Sequence, residues 1–573
     1  MYGNESKTGT SSAMEAAKPL FIAVAGISFF VNLLMLTGPL YMLQIYDRVL
    51  SSRSKETLAV ITLLTLGLFA AMALLEFCRG GLLARAGELF ENRLKDATFD
   101  RSFEGAQAGL PSVNRPLRDL RQVRQFMGGP ALAAVFDAPW TPFFLALIFL
   151  MHPLLGTVAL SGLLILVVLA IINQRVSRQA NEAALEATVV AEDMATAAFR
   201  NAAATDAMGM RQAIKNRWRA TNDDAVANAL RGSDRIGGLT AVSKGVRLFL
   251  QSAVLGVGAL LAIRGEVTPG VMIAASIIAG RALAPIEVIT GQWRNFTLTV
   301  SAYRRLRTFL GDARKPEPRT ALPPPKGDID VRSLICCPGQ AKTPVVRRVS
   351  FHLDAGEALG IIGPSAAGKS TLARALVGAE RAVSGEVRID GADISHWDQN
   401  ALGTYLGYLP QEVELFSGTA AANISRFSET PSDAAIVAAA KAAGAHEMIQ
   451  SFSDGYNTEI GDRGCHLSAG QRQRLGLARA LYGDPVFVVL DEPNANLDGE
   501  GDAALARALQ GLKARGATVV VVAHRPSAIA LVDKLLLIAN GEVRGFDTRD
   551  AILREIAPKQ VAAVNPIAAQ TQG

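Results

Sequence analysis

The chain has 573 residues, a formal net charge of +6, 50% hydrophobic residues and a mean hydropathy of +0.24. That length exceeds one ordinary domain, and that hydropathy is high for a protein dissolved in water. Its four cysteines, Cys78, Cys336, Cys337 and Cys465, have no metal-ligand spacing, so reduced thiols are expected rather than a disulfide or zinc framework.

Residues 1–18 form a short N-terminal segment. The run 19–46, "PLFIAVAGISFFVNLLMLTGPLYMLQIY", contains no charge, nor does 57–75. Each is long enough to cross a bilayer, which takes about 20 apolar residues. A cleaved signal peptide fits the first run poorly, because the run is too long and no small-residue cleavage site precedes a polar start. A third charge-free run, 138–174, overshoots one crossing, and "MHPLLG" at 151–156 can turn it into two spans. Residues 248–263 and 267–280 supply two shorter candidates, giving six spans in a membrane domain 19–310.

Charge sets the orientation. The connection 79–130 carries nine Lys and Arg residues and 175–247 carries eleven, whereas the other connections are short and carry few charges. Positive loops stay in the cytoplasm, so both long loops, both termini and everything after about residue 300 are expected there. The net charge is then a topology signal, and no nucleic-acid partner is needed to explain it. Arg281 and Glu287, beside Pro285, are functional candidates if the last span reaches them and interfacial groups if it stops at Gly280.

Residues 311–327, "GDARKPEPRTALPPPKG", read as a linker. Beyond it, strand-like runs such as "EALGIIG", "VFVVLDEP" and "ATVVVVAH" alternate with helical stretches, which predicts a largely parallel α/β domain over 328–557. The tail 558–573 is low in aromatics and reads as disordered. The expected fold class is an α-helical six-span membrane domain fused to an α/β P-loop nucleotide-binding domain.

Within that domain, "GPSAAGKST" fits the P-loop pattern through Gly363, Pro364, Ser365, Ala366, Ala367, Gly368, Lys369, Ser370 and Thr371. It follows a strand-like run and opens a helical one, the setting such a motif requires. The glycines let the backbone wrap phosphates, Lys369 neutralises β/γ oxygens, and the Ser370 hydroxyl can ligate Mg²⁺. Further on, "VFVVLDEP" is an apolar strand ending in Asp491 and Glu492. Asp491 would hold Mg²⁺, and Glu492 would polarise water for in-line attack on the γ-phosphate of ATP.

A second small-residue helix start, "HLSAGQRQRLGLARAL", begins at His466 and lacks a lysine in its turn. Its Leu467, Ser468, Ala469, Gly470 and Gln471 resemble the signature motif of ATP-binding-cassette proteins, usually written with a second glycine where Ala469 stands. Gln411 in "YLPQE" matches that family's Q-loop, "NANLD" ending in Asp498 its D-loop, and His524 in "VVVAHRP" its switch histidine. The resemblance covers 328 to about 550. It implies that Gln411 and His524 serve catalysis beside Glu492, with Gln411 also at the metal, and that two cassettes pair head to tail. Each signature then grips the nucleotide on the other subunit's P-loop, so one chain with both grips works as a homodimer. Ala366 replaces a glycine common in the family at a tolerant position. Ala469 is the more delicate departure if its backbone needs φ > 0. No aromatic lies between Leu334 and Ser350, where the family stacks one on adenine, so aliphatic packing is expected to hold the base.

Six spans before one cassette resemble an exporter half-transporter. "TEIGDRG" at 458–464 matches the exporter X-loop, although it also reads as a polar surface loop; "PQEVELFSGT" at 410–419 has the same character. "LMLTGPLYMLQIYDRVLSSRS" at 34–54 and "GEALGIIGPS" at 356–365 resemble type I secretion exporters of the metalloprotease-exporter (PrtD-like) kind. That implies export of unfolded polypeptide with a C-terminal signal across the bacterial inner membrane, with a periplasmic adaptor protein, an outer-membrane duct protein and surrounding membrane lipid as partners. Only about 18 residues precede the first span, so no peptidase-like leading domain is expected. A lipid or small-molecule exporter on the same scaffold, and a membrane-anchored regulatory ATPase, stand as alternatives. "FRNAAATDAMGM" at 199–210 is either a coupling contact or an ordinary helical hairpin.

Overall fold

The computed structural model describes residues 9–110, 114–311, 322–339, 341, 343–461, 464, 466–523 and 525–555, and for 173, 176–186, 235 and 236 the backbone alone. The tail 558–573, Cys465, His524 and most of the linker lie outside the described residues. The chain divides into two compact units, one of Met1–Ser102 with Asn114–Ala313, the other of Phe103–Val113 with Arg314–Gly573.

The first unit is helical. Among the described residues, six stretches are long and apolar enough to cross a membrane: Gly9–Ser52, Lys55–Gln107, Pro130–Met151, Pro153–Ile172, Arg211–Ile263 and Pro269–Gly291. Each of the six expected spans falls on one of them, and several of the helices go well beyond the apolar runs. The helix Lys55–Gln107 has 53 residues, which at ~1.5 Å per residue is more than twice a ~30 Å hydrocarbon core. Its apolar window has no buried residue, and Leu63, Leu66 and Phe77 are mostly exposed, as expected of side chains facing lipid. The turn inside 151–156 falls at His152, which is extended and caps the next helix through its Nδ1, accepting from Leu154 N at 3.1 Å.

Three short connections meet on one side of this unit. His152 Nε2 lies 3.3 Å from Glu266 Oε2. Asp47, in the five-residue π turn Ile45–Val49, accepts from Thr268 Oγ1 at 2.6 Å and Gly270 N at 2.9 Å, so its carboxylate sits on the N-terminus of Pro269–Gly291. Deeper in, Arg79 is 8% exposed and pairs with Asp137 at 2.8 Å, while Asn32 Nδ2 donates to the same Asp137 Oδ1 at 2.8 Å. The last apolar helix does not stop at Gly280: it continues to Gly291, and Glu287 pairs with Arg247 at 2.6 Å. The segment 199–210 forms a hairpin tip around the short helix Ala202–Ala207.

Among its described residues the second unit holds ten strands: β1 (Ile329–Cys336), β2 (Val346–Leu353), β3 (Ala358–Ile362), β4 (Ala382–Ile389), β5 (Ala392–Asp393), β6 (Leu406–Leu409), β7 (Phe487–Asp491), β8 (Thr518–Val522), β9 (Lys534–Ala539) and β10 (Glu542–Thr548). The larger sheet runs β10-β9-β3-β8-β7-β6, parallel except for β10. Both of its faces are covered. Val519 and Val521 of β8 pack into one apolar cluster, Val520 and Val522 into the other, which is why this strand reads as a continuous valine run. A second sheet, β2-β1-β4-β5, is antiparallel and was not anticipated from the alternation of strand-like and helical runs. Its strands are interrupted by register shifts at Val331/Leu334 and Arg332/Ile335, which blur the period-2 pattern that would reveal them.

Candidate active site

The P-loop joins buried β3 to the helix Lys369–Leu376. Gly363 has φ +152 and Gly368 φ +99; a Cβ on Gly363 would overlap Ile538 O and one on Gly368 would lie 2.9 Å from Val345 O. Only glycine brings the backbone that close. Between them Ala366 has φ +63, a left-handed conformation that a methyl side chain disfavours. Ala469, by contrast, is the first residue of the helix Ala469–Leu481 and needs no positive φ. The strain from the two alanine replacements therefore falls at Ala366, the reverse of the order suggested by the motifs.

Lys369 is buried in the loop, its Nζ donating to Gly363 O at 3.0 Å and Pro364 O at 2.8 Å. Burial pulls its ammonium below the usual lysine range, against the opposing pull of Glu492 and Asp491. Ser370 Oγ donates to Asp491 Oδ1 at 3.1 Å. Asp491 ends β7 at 2% exposure, and burial pushes its carboxyl up, opposed by the Ser370 hydrogen bond and reinforced by Glu492. The phenol of Tyr408 is pushed up to about 12 by burial and then by Asp491.

Glu492 follows with φ +47, its N–H donating to Val522 O at 3.0 Å, and Gln411 Nε2 donates to Glu492 Oε2 at 3.1 Å. A strained backbone at a strand end is a common way of aiming a side chain at chemistry. Lys369, Ser370, Asp491, Glu492 and Gln411 thus converge on one cluster, while His524 lies outside the described residues. A hydroxyl beside a buried carboxylate is a hard oxygen donor set and fits a Mg²⁺ ion. Ser370 and Asp491 would hold it, with Gln411 beside them.

The signature turn is built separately. Ser468 caps its helix by accepting from Gln471 N at 3.2 Å, and Gln471 Oε1 accepts from Ser468 N at 2.8 Å, a reciprocal capping box. Both Ser468 and Ala469 are exposed, and the Ser468 hydroxyl keeps its own proton to donate. Gly470 passes close to the D-loop, where a Cβ would lie 3.1 Å from Asn496 O. Asp498 caps the helix Gly499–Ala514 through Gly501 N at 2.8 Å and pairs with Arg474 at 2.8 Å; those two partners hold its carboxyl below the usual range. Inside, Gln473 Nε2 donates to Pro493 O at 3.0 Å, tying the signature helix to the loop after Glu492. Neither Gln473 nor Arg474 was singled out in the motifs, since polar residues in a helix carry no mark of what they reach.

Two family models match the chain: the ABC transporter transmembrane region over residues 21–282 and the ABC transporter over 346–495. The chain is 44% identical over 98% of its length to the "Type I secretion system ATP-binding protein PrsD" of Rhizobium meliloti (strain 1021), covering 97% of that protein. It is 28% identical over 92% of its length to the "Leukotoxin translocation ATP-binding protein LktB" of Mannheimia haemolytica, 75% of which is covered, and equally to the "Toxin RTX-I translocation ATP-binding protein" of Actinobacillus pleuropneumoniae. Its fold is similar to the structure of a bacterial Atm1-family ABC exporter with ATP bound, with a TM-score of 0.82 and 20% identity over 97% of this chain and 99% of that one. The chain is a multi-pass, nucleotide-binding membrane protein and belongs to the ABC transporters, in the family of type I secretion system ATP-binding proteins.

Proposed function

We propose that this chain is the ATP-driven motor of a type I secretion system, exporting unfolded polypeptide across the bacterial inner membrane. The single observation that carries this reading is the 44% identity, over nearly the whole of both chains, to a type I secretion system ATP-binding protein. The nucleotide-binding unit lies in the cytosol, as the positively charged connections at 79–130 and 175–247 favour. A periplasmic adaptor and an outer-membrane duct receive the polypeptide, which is selected by a C-terminal signal.

In the homodimer, Gly363 to Thr371 wrap the phosphates of ATP and Lys369 leaves its carbonyl partners to neutralise them. Ser370, Asp491 and Gln411 would hold Mg²⁺, which would supply charge neutralisation for the transferring phosphoryl group. Glu492 takes a proton from the attacking water, and Gln411, bonded to its carboxylate, fixes its direction. His524 acts at the γ-phosphate by family resemblance. From the other subunit, Ser468 donates its hydroxyl proton and the Gly470 turn its N–H groups. Asp498 holds the D-loop against Arg474 at that interface. Closing and reopening of the two cassettes drives alternating access in the spans.

Expression with an adaptor and a duct, together with a reporter carrying the C-terminal segment of a secreted protein, tests the reading. Reporter should reach the medium with wild type and stay inside with Glu492→Gln. Retention inside with wild type, across reporters from every candidate cargo, would contradict it.

A further inference from the structure

The signature helix Ala469–Leu481 lies directly on the segment that carries Gln411. A Cβ on Gly476 would sit 2.6 Å from Val413 Cγ1 and 3.1 Å from Leu409 Cδ1, and one on Gly407 would overlap Ala480 O. Helices leave their last carbonyls without intrahelical partners. Here one side chain gathers them. Arg426 Nε donates to Arg479 O at 3.0 Å and its Nη2 to Ala480 O at 3.1 Å. Its Nη1 donates to Gly403 O, in the short helix Gln399–Tyr405 that leads into β6. Arg479 reaches the other way, its Nη1 donating to Glu414 O at 3.0 Å, three residues past Gln411.

The arrangement is specific to a guanidinium. A rigid fork with five donors can satisfy three carbonyls in different directions, whereas an ammonium on a flexible stem cannot hold them in one geometry. A cation at this end also faces the negative pole of the helix. The backbone is bent to place it: Arg426 and Phe427 have φ of +56 and +55, consecutive left-handed residues without a glycine. The Phe427 ring meets Phe416 edge-on at 5.9 Å, and buried Asn423 donates to Phe416 O and accepts from Phe416 N, both at 2.9 Å. The rear of the signature helix, the strand feeding Gln411 and the Phe416 segment are thereby locked into one piece. Ser468 stands at the front of the same helix, about 18 Å from the clamp at ~1.5 Å per residue.

We propose that Arg426 is a positioning residue for ATP turnover: by clamping the rear of the signature helix to the helix Gln399–Tyr405 that leads into β6, it sets where Ser468 and Gly470 meet the partner copy's nucleotide. The inference rests on the reading that the signature acts across a homodimer. ATP turnover of the full-length protein in lipid nanodiscs tests it, with Arg426→Ala, Arg426→Lys, Ser468→Ala and the doubles, beside thermal unfolding of each. Arg426→Ala should lower kcat about 10-fold while KM for ATP moves less than about 3-fold, and Arg426→Lys should recover part of the loss. In the Ser468→Ala background the same change should cost less than about 2-fold, because the group it positions is already gone. A full, multiplicative loss in the double would overturn the clamp while leaving the signature reading in place. An unchanged kcat in Ser468→Ala alone would overturn both. If Arg426→Ala gives no folded protein, the cycle is run with Arg426→Lys, and full additivity there overturns the clamp equally.

Discussion

Gln411 Nε2 donates to Glu492 Oε2 at 3.1 Å, joining the strand-end loop after β6 to the strand end of β7. The two strands are parallel neighbours, Leu409 opposite Leu490, so residues 81 positions apart emerge side by side at the same edge of the sheet. The bond holds the rotamer of the carboxylate that, in the proposed mechanism, faces the attacking water. Glu492→Gln keeps the shape and removes the base, so turnover should fall by about 10² or more while ATP binding persists, as for other positioned acid–base groups. Equilibrium binding of a fluorescent ATP analogue beside phosphate release checks both halves.

Ala366 carries a left-handed backbone that glycine adopts without cost. Ala366→Gly should therefore stabilise the protein by about 0.5–1 kcal/mol, the relief of strain less the added freedom of the unfolded chain. Gly363→Ala should do the opposite, by about 3 kcal/mol or more, because its Cβ has only Ile538 O to displace. Thermal unfolding of the two variants, read side by side, should move in opposite directions.

Much of this site was legible in the sequence, for a physical reason. Phosphate binding needs glycines at fixed offsets from one lysine, and a parallel strand buried on both faces shows as the unbroken runs "VFVVLD" and "TVVVV". The six spans were legible because lipid demands about 20 apolar residues without interruption. The contacts that orient the groups were not. Gln411 reaches Glu492 only because β6 and β7 are neighbours, and Arg426 finds its three carbonyls only because two helices end at one place. Pairings between distant positions leave no periodicity to read. Arg79 and Asp137 are the same case: 58 positions apart, they pair with Arg79 buried and Asp137 largely covered, and no spacing links them in the sequence.

That pair gives a third prediction. Asp137→Asn takes the negative charge from beside the buried Arg79 guanidinium, leaving among the described residues the longer contacts to Glu76 Oε1 at 3.4 Å and Ser28 Oγ at 3.5 Å beside a neutral amide. Removing one side of a buried ion pair costs about 3 kcal/mol or more, and removing both costs less. The melting temperature in detergent should fall clearly in Asp137→Asn and recover in the double variant Arg79→Gln/Asp137→Asn.

The fourth concerns pH. Burial raises the Asp491 carboxyl above its unfolded value, so the stability of its protonated form is fully present below the unfolded pKa and is lost as pH rises through the folded one. In the proposed site Mg²⁺ would take the Asp491 carboxylate, so binding would expel the proton wherever Asp491 still holds it. Affinity for Mg²⁺ with nucleotide should rise with pH and level off once the Asp491 carboxyl, held up by burial, is fully ionised. Calorimetric titration in buffers of different ionisation enthalpy should show proton release at the acidic end that disappears in Asp491→Asn.

A fifth test addresses the two grips in one chain. Lys369→Ala spoils a P-loop and Ser468→Arg spoils a signature, so each homodimer has two broken sites. Mixing the two chains before assembly rebuilds one intact site in each mixed dimer if the signature works across the interface. Turnover should reappear on mixing, approaching about a quarter of the wild-type rate for random pairing and independent sites. Mixed dimers as inactive as the parents would mean that both grips serve the same chain.

The claim that this motor moves polypeptide is tested most directly by its ATP turnover in lipid nanodiscs, with and without peptides from the C-termini of candidate secreted proteins. One such peptide should alter the turnover of wild type, and Glu492→Gln should show no turnover to alter. Turnover that is lost in Glu492→Gln but indifferent to every peptide, while responding to lipids or drugs, would contradict polypeptide export and leave only the ATPase.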